Sequence, residues 1–243
     1  MIFPIGDDNI KGKVKPIFTY VFIAVNIFIY FMFQSGLSME QEGVFFDGYA
    51  ANPCEITQWN SLHTLITSMF LHGSVTHLLG NMLYLWIFGD NIETTIGNFR
   101  YILFYLAGGV VAALSHVLID GNAECIPMVG ASGAISALIG AYLVMFPRSR
   151  IKMLFILSPR PFFIPAFLFI GFWIYQQFSG ILGAPDSVAY WAHLGGLGFG
   201  VIMGFYFKTR YPKIEPVVQG HQKILYKTVK KNPQRFNNRF FNT

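Results

Sequence analysis

Residues 125–147 read CIPMVGASGAISALIGAYLVMFP, a run without a single Asp, Glu, Lys or Arg. Wound as a helix at ~1.5 Å per residue, such a run exceeds the ~30 Å hydrocarbon core of a bilayer. Windows 16–39, 56–89, 101–119, 161–185 and 187–207 likewise contain no Asp, Glu, Lys or Arg. Each is longer than the ~18 apolar residues needed to span. A core helix of a soluble protein is normally shorter and amphipathic. The composition agrees: 53% of the 243 residues are hydrophobic, and 12% are charged, about half the share usual in soluble domains. The fold class expected is therefore an all-α membrane protein, with six transmembrane helices near 16–34, 74–91, 98–119, 129–147, 161–182 and 188–207.

Charge placement supports this count. Six spans divide the polar segments into two alternating sets, and all 17 Lys and Arg fall in one of them: 1–15, 90–100, 146–160 and 208–243. The other set carries Glu40, Glu42, Asp47, Glu55, Asp120, Glu124 and Asp186. Basic residues mark the cytoplasmic side, so both termini are expected there, with loops near 35–73, 120–128 and 183–187 facing outward. Lys11, Lys13 and Lys15 resemble the basic region of a signal peptide, but the apolar run Pro16–Phe33 is long for one and no A-x-A site follows. A retained first span is the reading. The division expected is a tail at 1–15, a six-helix domain at 16–207 and a basic tail at 208–243.

The net charge of +5 is better explained by anionic lipid beside the basic tail than by nucleic acid. The aromatic residues lie in the spans and not among the basic ones. The outer loop 35–73 holds Phe45, Phe46, Tyr49, Trp59 and an apolar stretch from Leu62 to Leu71, expected to lie in the membrane interface. Cys54 and Cys125, the only cysteines, both fall on the outer side. A disulfide and two free thiols are both open at this stage, because sequence supplies no distance.

Polar groups inside spans are costly, hence informative. The fourth span opens with Gly130-Ala131-Ser132-Gly133, the sixth carries Ala192-His193-Leu194-Gly195-Gly196, and the second carries His77 and Asn81. Alone, Ser132 would usually bond a carbonyl of its own helix, and His193 would usually be a structural hydrogen-bonder. These three spans run in one direction, however, and all four residues lie within roughly 5–10 Å of the outer helix ends. A hydroxyl, an imidazole and two further donors in one layer are the parts needed for acyl transfer. Small residues recur every fourth position at Ala192, Gly196, Gly200 and Gly204, and at Gly133, Ala137 and Ala141, a spacing that lets membrane helices approach closely.

Every Asp and Glu lies in a loop, a tail or at the cytoplasmic end, so a Ser–His dyad is expected in place of a triad. No H-e-x-x-H occurs, and residues 130–134 miss the G-x-S-x-G elbow. No metal or cofactor is called for. A transporter would need charged or repeated polar residues through the full membrane depth. An inactive relative that only binds membrane segments would be expected to have lost the serine or the histidine.

The combination His77-x-x-x-Asn81, Gly130-Ala131-Ser132-Gly133 and Ala192-His193-x-x-Gly196-x-x-x-Gly200 resembles the rhomboid intramembrane serine proteases over about residues 16–207. The resemblance implies a rhomboid-like six-helix bundle, with Ser132 as nucleophile and His193 as general base. It implies an oxyanion hole from His77, Asn81 and the Ser132 N–H, and close packing at Gly130. The partners implied are transmembrane protein substrates in a lipid bilayer, entering beside the Phe-rich fifth span (Phe162, Phe163, Phe167, Phe169, Phe172). A compact form of this kind points to a prokaryotic cell membrane. Two departures stand out: Trp59-Asn60 where many members have Trp-Arg, and Ser136 where some place an aromatic that stacks on the histidine. His193 is therefore expected to be held differently.

Overall fold

The structure, a computed structural model, describes residues 2–8, 14–119, 125–155, 158–183 and 188–211. The basic tail beyond Tyr211 lies outside the described residues, as do Lys11, Lys13, Asp120, Glu124 and Asp186.

The chain is mostly helical. Strand β1 (Ile2–Asp7) precedes α1 (Ile17–Ile29), which continues as a π-helical turn, Tyr30–Gln34. Short helices α2 (Met39–Tyr49), α3 (Pro53–Thr57) and α4 (Thr64–Thr67) fill the loop that follows. Then come α5 (Val75–Ile96), α6 (Asn98–Ile119) and α7 (Ser132–Met145), the hairpin of β2 (Arg150–Phe155) and β3 (Ser158–Pro165), and finally α8 (Ala166–Ile181) and α9 (Tyr190–Arg210).

The start of α1 and the end of α5 are tied by polar groups. Glu93, fully buried near the end of α5, accepts from the backbone N–H groups of Phe18 and Thr19 at 2.8 and 2.7 Å and from Thr19 Oγ1 at 2.8 Å. The first N–H groups of α1 have no partner within their own helix, so a carboxylate placed there satisfies them and complements the helix dipole. Gly97, at φ 91°, turns the chain between α5 and α6.

The centre of the core lies between α7 and its neighbours. Every residue from Ala134 to Tyr142 is buried. Helix α8 is the opposite case: its buried residues are Ala166, Phe169, Ile170 and Gln177, while Phe167, Leu168, Phe172, Tyr175 and Phe178 point outward.

Several expectations need correction. A three-stranded antiparallel sheet, β1-β2-β3, stands where only tails, a loop and the start of the fifth helix were expected. Ile2 pairs with Phe155 and Lys152 with Phe163. Phe162 and Phe163 therefore belong to β3, and the fifth helix begins at Ala166, after Pro165. Asp8 explains part of the ordering: it accepts from Arg150 Nε at 2.9 Å and Nη2 at 3.0 Å. The stretch Leu62–Leu71 is not simply interfacial, since Thr64, Ser68, Met69 and Leu71 are buried, Met69 against Gly109 of α6. Helix α7 starts at Ser132 and not near 129, because Gly130 holds φ 124°, outside the helical region.

Two of the described helices are long and apolar enough to cross a bilayer by themselves, Ile17–Gln34 and Asn98–Ile119. The 14-residue α7 and the 16-residue α8 reach only about 21 and 24 Å, so the helices alone do not establish the count of six spans.

Candidate functional site

Helices α7 and α9 meet backbone to backbone. A Cβ added at Gly196 would strike the Gly133 carbonyl, at Gly200 the Ala137 backbone, and at Gly204 the Ala141 Cα at 2.9 Å. In the reverse direction, one at Gly140 would strike the Leu197 carbonyl. The pairs advance together, four residues at a time, so the two helices run parallel in one register. Ala192 is buried one turn before Gly196. His193 lies three residues before Gly196, and Ser132 one before Gly133, so their levels differ by about 3 Å along the axes. Both side chains are half-buried. Among the described residues no hydrogen bond joins Ser132 Oγ to His193, as is common before substrate tightens a site.

A set of polar groups lies beside Gly130, two residues before the serine. Gly130 is pinned by its N–H to the Ser68 carbonyl at 2.9 Å. A Cβ there would sit 2.8 Å from His77 Nε2 and 3.5 Å from Asn81 Nδ2, so the missing side chain leaves room against both groups. Asn81 Nδ2 is buried and makes no hydrogen bond among the described residues. A buried donor without an acceptor is costly, and it fits a site whose acceptor arrives with a substrate. Ser74 caps α5 by accepting from the His77 N–H at 3.1 Å, which fixes the turn carrying His77. The N-cap of α7, Ala131, makes no side-chain cap, so the first N–H groups of the helix are unclaimed by one.

The segment leading into Gly130 is anchored from the loop that holds α2, α3 and α4. Cys54 and Cys125 are joined in a disulfide, Cα–Cα 5.3 Å, which decides the question the sequence left open. Ala51 and Met128 exchange backbone hydrogen bonds at 3.0 and 2.9 Å. Ser132 itself lines a small cavity with Ser68, Met69, Gly109, Gly130 and Ala192, among others. Nearby His72 is buried and packs edge-on against His77 at 5.1 Å between ring centres. Burial, with the adjacent His77 charge second, lowers its pKa to about 3, so His72 is neutral at physiological pH.

The surroundings of His193 hold what the sequence reading missed. Ser136 donates to the Ser132 carbonyl at 2.7 Å. The imidazole instead lies 6.0 Å from the Trp173 ring and 6.4 Å from that of Tyr190. Its Nδ1 is 2.8 Å from Gln177 Oε1. The signal was present, since an amide inside an uncharged span is as costly as the serine and histidine. Gln176 and Gln177 are adjacent, however, and only packing shows that the second one turns inward.

Comparison with known proteins identifies the family. The Rhomboid domain matches residues 59–210. The chain is 32% identical over 137 residues to Rhomboid protease GluP of Bacillus subtilis, covering 56% of this chain and 26% of that one. It is 28% identical over 173 residues to the mitochondrial Presenilin-associated rhomboid-like protein A of Danio rerio, 70% of this chain and 44% of that one. It is 30% identical over 153 residues to the mitochondrial Rhomboid protein 1 of Saccharomyces cerevisiae, 62% and 43%. The chain thus spans less than half the length of these relatives, which come from a bacterium and from mitochondria, so the family selects a membrane without selecting which one. With the domain matched over most of the helices, this chain belongs to the rhomboid family, whose members are intramembrane serine proteases.

Proposed function

We propose that this protein is an intramembrane serine endopeptidase that cuts transmembrane segments near the outer membrane face with a Ser132–His193 dyad. The observation that carries the reading is the parallel glycine-mediated register of α7 and α9, which supports it by leaving the levels of the hydroxyl-bearing and imidazole-bearing residues only about 3 Å apart. The unpartnered Asn81 Nδ2 beside Gly130 and His77 supplies the complementary half.

His193 accepts the Ser132 proton as the hydroxyl attacks the scissile carbonyl. The tetrahedral oxyanion forms against His77, Asn81 and the Ser132 N–H, fixed donors being most effective in a site sheltered from bulk water. His193 then protonates the leaving amine, and water resolves the acyl-enzyme. Six spans, at 16–207, are part of the reading. All 17 Lys and Arg lie on one side under that count. The short α7 then ends at the inner face and starts about 9 Å below the outer one, within reach of water. Substrates are transmembrane proteins whose helix unwinds to reach Ser132, passing beside the lightly packed α8.

The test is cleavage of a single-span substrate by purified protein in liposomes. Wild type cleaves, and Ser132→Ala and His193→Ala do not. Equal cleavage by Ser132→Ala would defeat the assignment.

A further inference from the structure

We propose that Gln177 is the positioning residue for the general base, holding His193 in the tautomer that carries its proton on Nδ1. The proposal rests on the reading of His193 as that base. Gln177 is buried on α8, and its Nε2 donates to the Trp173 carbonyl at 2.9 Å, one turn earlier in the same helix. A carbonyl only accepts, so this bond settles which end of the amide is which. The other end, Oε1, is then an acceptor 2.8 Å from His193 Nδ1. Nδ1 must carry the proton, and Nε2 keeps a lone pair to receive the Ser132 proton.

In soluble serine proteases a buried aspartate performs this orientation, and a wrong tautomer is severely damaging. No carboxylate of α7, α8 or α9 is present to do so: these helices contain neither Asp nor Glu. An amide supplies the same acceptor without the cost of a buried charge. The ring of Trp173, from the turn that holds the amide, adds one wall to the imidazole's slot, and the edge of Tyr190 adds another. Orientation of the base is thereby assigned to α8, a helix that contributes no other group to the chemistry.

The experiment uses full-length protein in lipid nanodiscs with 15N-labelled histidine, the His193 signals being assigned by their loss in His193→Gln. Wild type is expected to show the Nδ1–H form. Gln177→Met keeps length and helix propensity but removes the acceptor. It is expected to move His193 toward the Nε2–H form and to lower kcat on the order of 10–100-fold, with KM within about twofold. Gln177→Glu, which in its neutral form offers Nδ1 the same oxygen and Trp173 a hydroxyl, is expected to recover about tenfold of that loss. A wild-type His193 in the Nε2–H form overturns the proposal, and that measurement needs no variant to fold. Unchanged kcat or an unchanged tautomer in Gln177→Met overturns it too, as does a folded Gln177→Glu no better than Gln177→Met. Failure of the underlying dyad reads differently, as cleavage that survives Ser132→Ala whatever stands at position 177.

Discussion

The contact of α7 with α9 makes a sharp case for substitution. At Gly200 an added Cβ would lie 2.7 Å from the Ala137 carbonyl carbon and 2.8 Å from its Cα. Ordinary contact begins at 3.4 Å, so the helices must separate by 0.7 Å or more, since the obstacle is backbone and cannot rotate away. Overpacking of this kind costs about 1–3 kcal/mol, against about 1 kcal/mol returned by the better helix propensity of alanine. The catalytic consequence is larger, because a ~1 Å misplacement of reacting groups can cost about 100-fold in rate. Gly200→Ala is therefore expected to lose at least about tenfold in kcat and to melt at lower temperature. Gly198→Ala is the control: an added Cβ there meets nothing within 4 Å, so activity should be kept and stability unchanged or raised by up to about 1 kcal/mol. The assay is liposome cleavage at saturating substrate, paired with thermal unfolding. Wild-type turnover in Gly200→Ala, or equal damage in Gly198→Ala, would show that the close approach of α7 and α9 does not set the geometry of the site.

Gly130→Ala combines a backbone strained at φ 124° with a Cβ 2.8 Å from His77 Nε2; cleavage should fall on the order of 100–1,000-fold while the fold survives, and full activity would remove this room from the oxyanion site. Burial, only partly offset by the donors Tyr142 and Asn91, raises the Asp7 pKa to about 8 from 3.8. The folded protein thus holds this proton more tightly than the unfolded chain. Its contribution is complete below about pH 3.8 and is lost as pH rises toward 8. Melting temperature should therefore decline more steeply from pH 5 to 8 in wild type than in Asp7→Asn, and identical slopes would contradict the burial. Reducing Cys54–Cys125, which closes a loop with 71 residues of separation, should cost about 2–4 kcal/mol of stability. It should also slow cleavage by loosening the segment that carries Gly130, and a melt insensitive to reductant would count against that anchoring.

Much of this protein could be read along the chain. A bilayer demands long uncharged stretches, and charge segregation proposes an orientation for them; both are local properties of composition. Close helix approach demands small residues every fourth position, which made the stripe from Ala192 to Gly204 visible before any coordinates. The costly polar residues Ser132, His193, His77 and Asn81 stood out for the same reason. Tertiary structure decided the rest, because those features depend on partners far apart in sequence. Ile2–Asp7 is a strand only because Arg150–Phe155 lies beside it, and no periodicity within six residues announces that. Cys54 and Cys125 became a pair only once α3 was docked near the approach to α7. Gln176 and Gln177 are chemically identical, and the inward turn of α8 alone places the second against His193. Composition reports what a segment can tolerate around it, whereas contact reports which neighbour it meets, and only the folded chain brings the neighbours together.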